Sequence, residues 1–130
     1  MQQTTIKRRI QCAGIGLHSG KKVTLTMRPA AEDTGIVFHV ASPMGVRDIR
    51  PTADSVIATG LATTLGKDGT AVSTVEHLLA ALRGLAIDNV HIDVAGGEIP
   101  IMDGSAASFV MLLDEAGVHR QIAPRKVFRI

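Results

Sequence analysis

Two apolar segments with helical spacing sit among a series that alternates like half-buried strands, and this mixture fixes the class of fold open to the chain. Val23-Thr24-Leu25-Thr26-Met27-Arg28 presents one apolar and one polar face, as do residues 36–40 and 89–94. Residues 4–12 and 56–65 are further strand candidates, and 127–130 reads as a closing strand. Glycine-rich turns separate them at 14–20, 66–69 and 96–97. The helical segments cover 74–83, with Gly84 as the expected C-terminal cap, and 106–116, stopping at Gly117 with Asp103 or Ser105 available to cap the start. The predicted fold is α+β: a two-layer sandwich in which a mostly antiparallel sheet carries two helices on one face. No linker or repeat divides residues 1–130, which read as a single domain.

The composition suits that reading. A chain of 130 residues with 45% hydrophobic and 20% charged side chains can bury a core without staples. No run approaches the roughly 18 apolar residues of a membrane span, and no apolar segment follows the charges of Lys7-Arg8-Arg9, so a cytoplasmic protein is expected. The lone Cys12 excludes an internal disulfide and shares strand parity with Ile6 and Ile10, which predicts a buried small hydrophobe. The net charge is +2, and the basic pairs Arg8-Arg9 and Lys21-Lys22 are dispersed and lack neighbouring aromatics. Nucleic-acid recognition, which wants a dense patch or stacking rings, is not expected.

The first helix is informative in its faces. At about 100° per residue, Val75, Leu78, Leu79 and Leu82 form a stripe for the sheet, while His77, Ala80, Ala81 and Gly84 lie opposite. A solvated face would carry Lys and Glu; small residues permit close approach by another element. The second helix is apolar over most of its circumference through Phe109, Val110, Leu112 and Leu113, with Asp114 and Glu115 at one edge. Both helices are patterned for cover on two sides.

Chemistry concentrates at Ser73-Thr74-Val75-Glu76-His77. Read structurally, this is a capping box in which the Ser73 hydroxyl caps the helix and Glu76 reaches back to the Ser73 amide, stabilising by about 1 kcal/mol. Read chemically, a carboxylate that can take a proton stands beside an imidazole that can bind metal. No His-Glu-x-x-His or His-x-x-Glu-His pattern is present, and a catalytic zinc takes three protein ligands. His39 and His91 fall on the polar parity of their strands and are expected to face solvent; His18 and His119 are scattered elsewhere. Gly14-Ile15-Gly16-Leu17-His18-Ser19-Gly20-Lys21 imitates a phosphate loop, but the Rossmann spacing breaks by one residue and the Walker pattern fails at Ile15 and Lys22. A tight turn carrying His18 is the expectation.

Three segments together resemble the zinc-dependent UDP-3-O-acyl-N-acetylglucosamine deacetylase (LpxC) family. They are the Gly14-to-Gly20 turn, Ser73-Thr74-Val75-Glu76-His77-Leu78-Leu79-Ala80-Ala81-Leu82, and Glu98-Ile99-Pro100-Ile101-Met102-Asp103-Gly104-Ser105-Ala106. The resemblance implies the first of two α+β domains whose helices are sandwiched between two sheets. It implies His77 as the one zinc ligand of this half and Glu76 as the general base, with His18, Leu61 and Thr63 at the edge of the substrate site. Ala62 stands where the family often has Cys. The remaining His and Asp ligands, and a Lys and a His that stabilise charge and donate a proton, would belong to a second half beyond these residues. Zinc is therefore expected to be absent or weakly held by this chain alone, and no deacetylation is expected from it unaided. The expectation is a stand-alone relative that acts by association, as a homodimer through its helix layer or as a regulator of a full-length deacetylase, through an interface above about 1,000 Å². The alternative is a subunit or fragment of an active deacetylase completed by a partner domain.

Overall fold

The computed structural model describes residues 1–60 and 62–126. Its elements run β1 (Gln2–Ile6), β2 (Ile10–Ile15), β3 (Lys22–Pro29), β4 (Ile36–Ser42), β5 (Gly45–Ile49), a short 3-10 turn (Ala53–Ser55), β6 (Val56–Ala58), β7 (Thr64–Lys67), β8 (Thr70–Ser73), α1 (Glu76–Gly84), β9 (Val90–Ala95), α2 (Ala107–Ala116) and β10 (Val118–Pro124). The fold is α+β, with two helices against mixed and antiparallel sheets in a sandwich-like arrangement. A five-stranded sheet of order β2-β3-β9-β4-β5 is accompanied by the pair β1-β10 and the three-stranded β6-β7-β8. Among the described strands, only β4 and β9 pair in parallel.

Register explains the core. Ile10, Met27, Ile92, Phe38 and Ile49 lie on one line across the five strands, and Cys12, Leu25, Val94 and Val40 on the next. Because side chains alternate along each strand, both rows face the same way. Val75, Leu78 and Leu82 of the α1 region and Phe109 and Leu113 of α2 complete the same buried cluster. Burying each such side chain contributes about 1.5–3 kcal/mol, enough to hold helices too short to persist alone.

Several boundaries differ from the sequence expectations. The segment 4–12 is two strands, because Lys7, Arg8 and Arg9 are exposed and turn the chain from one sheet to another. The segment 56–65 likewise divides into β6 and β7. The strands β5, β8 and β10 lie outside the segments read as strands; β7 and β8 form a hairpin whose Asp68 and Gly69 both take positive φ, the backbone of a type I′ turn. Gly84 does not end α1 as a left-handed cap; the positive φ falls on Ala86, while Gly117 does take it after α2. Ala81, placed by periodicity on the outward side, is buried, while Ala80 is exposed and Leu79 half-buried. Cys12 is half-buried, and burial raises its thiol pKa. The closing strand expected at 127–130 lies outside the described residues.

A polar knot fastens β1-β10 to the larger sheet. Buried Asn89 donates to Gln3 (2.9 Å) and Gln121 (2.8 Å), accepts from the Gly35 amide (2.8 Å), and its carbonyl accepts from the Thr5 hydroxyl (2.6 Å). Every partner replaces a water that burial removes.

Candidate functional site

The start of α1 is built by strain rather than by a cap. Thr74 adopts φ +63°, a left-handed conformation that costs a β-branched residue on the order of 1–3 kcal/mol. Its amide and that of Val75 both donate to the Thr63 carbonyl, at 2.9 and 3.4 Å. The Thr74 hydroxyl is buried and has no hydrogen-bond partner. This bend overturns the capping box: Val75 is the N-cap with no side-chain bond, and Glu76 is the first helical residue. Ser73 ends β8, where its hydroxyl pairs with that of Thr64 at 3.0 Å.

Glu76 is thereby released from the helix end and turned toward the neighbouring strand. Its Oε2 accepts the Thr63 amide at 3.1 Å. Thr63 thus engages the α1 start with both backbone groups, its carbonyl taking two amides and its amide binding the carboxylate. His77, the next residue, is half-buried on the first turn of α1. Of the site residues read from sequence, Glu76 and Thr63 are joined by the carboxylate-to-amide bond, and His77 adjoins Glu76 along the chain. Leu61 lies outside the described residues.

His18 sits exposed on the 14–20 turn, and the structure supplies the reason that turn is ordered. The Glu98 carboxylate accepts the His18 amide at 2.7 Å and the Ser19 amide at 3.2 Å. Glu98 is only 4% exposed. Burial alone would raise its carboxyl pKa, but the His18 and Ser19 amides, the Ser19 hydroxyl and the nearby His18 ring hold it below the usual carboxylate range. The turn that imitates a phosphate loop is an anion nest filled by the protein's own carboxylate. A Cβ at Gly16 would come within 2.5 Å of both Glu98 Oε2 and Ser19 Oγ, so a larger residue there would displace one of these side chains. Sequence reading gave Glu98 no role of its own, quoting it only within the segment that carries the family resemblance. A lone acid before the apolar Ile99-Pro100-Ile101-Met102 was the available signal.

Asp103 is exposed and accepts from the Ser105 amide (3.0 Å) and hydroxyl (2.9 Å), while the Ser105 hydroxyl accepts the Ala107 amide at 3.2 Å. These bonds, with one from Ser108, lower the Asp103 carboxyl pKa and order the turn before α2. His119 is exposed on β10.

His39 and His91 are not solvated independently. On the outer face of the five-stranded sheet, His39 Nδ1 lies 2.6 Å from Asp48, and His39 Nε2 lies 2.9 Å from His91 Nδ1. Arg28 and Asp93 pair beside them at 2.7 and 3.0 Å. The register forces this meeting, since His39 stands opposite Asp48 on β5 and Asp93 on β9. Burial, then Arg28 and His39, push the His91 imidazole below its ordinary pKa, against the pull of Asp93 and Asp48.

Among the described residues, no group of three or more His, Cys, Asp or Glu side chains is arranged to hold a metal ion. His77 stands as a single potential ligand, which does not fit the three protein ligands of a catalytic zinc. Nor is any helix among the described residues long and apolar enough to cross a membrane.

Residues 3–130 match the family described as UDP-3-O-acyl N-acetylglycosamine deacetylase. The chain is 67% identical over all 130 residues to the UDP-3-O-acyl-N-acetylglucosamine deacetylase of Oleidesulfovibrio alaskensis, covering 43% of that protein. It is 66% identical over 130 residues to the protein of the same description from Nitratidesulfovibrio vulgaris, covering 42%. The chain therefore spans less than half the length of these curated relatives. With the Glu76-His77 pair at a strained helix start and a match over nearly every residue, the chain belongs to the UDP-3-O-acyl N-acetylglycosamine deacetylase (LpxC) family.

Proposed function

We propose that this chain forms the half of a deacetylase site that carries the general base and one metal ligand, and that it is not catalytic by itself. The observation that carries the reading is the placement of Glu76: its carboxylate is held by the Thr63 amide through Oε2 instead of being spent on a helix cap. That bond leaves Oε1 as the atom to take a proton from an attacking water, and it orients the carboxylate without neutralising it. His77 would supply an imidazole to zinc, which polarises an amide carbonyl when three ligands hold it. The described residues offer too few ligands for that, so the rest must come from a unit outside these 130 residues. His18, Leu61 and Thr63 line the edge of the substrate site in this reading. The substrate class follows from the name of the relatives, a UDP-linked acylated N-acetylglucosamine, and a water-soluble nucleotide sugar fits a cytoplasmic setting.

The helix layer is the surface through which completion takes place. Met111 is 73% exposed, Ala80 is exposed, and Leu79, Val110 and Leu112 are half-buried. The occupant favoured here is an α+β unit like the one that would make up the remaining length of the relatives. A second copy of the chain, or a full-length deacetylase that it regulates, would use the same face. A second copy adds another His77 without a third ligand, so a homodimer would associate without turning over.

Equilibrium dialysis tests the assignment. The chain mixed with the part of the Oleidesulfovibrio alaskensis relative that it does not match should retain about one zinc per complex, and His77→Ala should abolish that retention. Equal zinc retention by the His77→Ala mixture would overturn the role given to His77.

A further inference from the structure

We propose that Glu98 is a positioning residue of the site, its carboxylate filling the nest of the 14–20 turn so that His18 is held in fixed register with the start of α1. The inference rests on reading His18, Glu76 and His77 as one site.

The backbone and the side chain of Glu98 serve different segments. Gly96 and Gly97, at φ +114° and +73°, reverse the chain after β9 and bring Glu98 beside Ser73 in a parallel bridge. Ser73 donates its amide to the Gly97 carbonyl at 3.1 Å and accepts the Ile99 amide at 3.0 Å. Ser73 is the last residue before the Thr74 bend that aims Glu76, so the Glu98 backbone is clamped to the segment that sets the base. The side chain runs to the other segment, where Oε1 accepts from His18 and Oε2 from Ser19. Ile101 reinforces this side by donating its amide to the Ile15 carbonyl at 3.2 Å.

The bonds that close the turn, including the Lys21 amide to the Ser19 hydroxyl at 3.2 Å, leave the His18 and Ser19 amides for an acceptor at its centre. Gly16 donates to the Lys21 carbonyl and Gly20 to the Gly16 carbonyl, both at 2.9 Å. Neither bond involves His18 or Ser19, whose amides point inward to the carboxylate. A compact anionic acceptor suits that centre, because two amides converge on it and Gly16 has no side chain to obstruct it. Glu98 meets both needs, and His18 is the titratable side chain facing it.

Amide exchange measured by NMR on the whole chain tests this. Glu98→Gln keeps the volume but replaces one acceptor oxygen by a donor aimed at an amide. Exchange at His18 and Ser19 should accelerate by about tenfold or more, while the α1 amides of Leu79 and Leu82 remain protected. In the unsubstituted chain the protection factors at His18 and Ser19, corrected for intrinsic exchange, should fall as the carboxylate protonates; in Glu98→Gln they should be flat with pH. If the glutamine variant loses α1 protection as well, Glu98→Asp and the pH profile of the unsubstituted chain decide. Unchanged exchange at His18 and Ser19 in a folded variant, or a pH-invariant profile in the unsubstituted chain, overturns the proposal. Neither measurement involves metal or turnover, so its failure and that of the deacetylase reading are separate results.

Discussion

Thr63 and Glu76 hold each other from opposite ends of a strained bend: the Thr63 amide donates to the Glu76 carboxylate at 3.1 Å, and the Thr63 carbonyl accepts the Thr74 amide at 2.9 Å. The bend and the base are therefore one structural unit. Glu76→Ala should destabilise the chain by about 1 kcal/mol, because a half-buried amide loses a charged acceptor. Glu76→Gln, which keeps an acceptor, should cost less than about half of that. Urea unfolding of the two variants checks the order.

Thr74 carries two costs, a left-handed backbone and a buried hydroxyl without a partner. Thr74→Val retains the β-branched shape and removes only the second. It should raise stability by about 1 kcal/mol, read as a higher urea midpoint at unchanged slope. A lower midpoint would mean that the hydroxyl is satisfied in solution.

The outer face of the five-stranded sheet predicts a two-stage response to acid. Burial chiefly, then Arg28 and His39, depress His91 in the folded state. A group depressed in this way stabilises fully above its unfolded value of about 6.5, and that stability is lost as pH falls through the folded pKa. Asp93, held low first by its hydrogen bond to Arg28, and Glu98 act in the same direction lower down, present above about 4 and lost beneath it. Unfolding free energy should fall first below about pH 6.5 and again below about 4, and His91→Gln should remove the first stage and leave the second.

The helix layer separates packing from association. Leu82 is fully buried, and Leu82→Ala should cost about 2–5 kcal/mol. Met111 is largely exposed on α2, so Met111→Asp should leave the thermal midpoint of the chain nearly unchanged. The same substitution should weaken binding to the complementary part of a relative, as measured by sedimentation. Undiminished binding would move the docking face elsewhere.

Much of this was legible in the sequence because it depends on periodicity. Residues 23–28, 36–40 and 89–94 alternate; the first two lie within β3 and β4 and all of the third but Asn89 within β9, while the leucine stripe of 74–83 placed α1. What escaped depends on long-range register and on backbone strain. The Ser73-to-Glu76 spacing satisfies a capping box, but a capping box presumes right-handed helical backbone directly after the cap, and Thr74 at φ +63° breaks that premise. His39 and His91 have polar parity, yet parity cannot say that β4 and β9 are parallel neighbours that set two ring nitrogens 2.9 Å apart. Glu98 and His18 are eighty residues apart in the chain, and only the Gly96-Gly97 reversal makes one the anchor of the other.

The most direct test of the half-site account is acetate release from the UDP-linked N-acetyl sugar named by the relatives, in the presence of zinc. The chain of 130 residues alone should release none; adding the unmatched part of the Oleidesulfovibrio alaskensis protein should start turnover, and Glu76→Gln should stop it. Turnover by the chain alone, or turnover of the mixture that survives Glu76→Gln, would contradict the account.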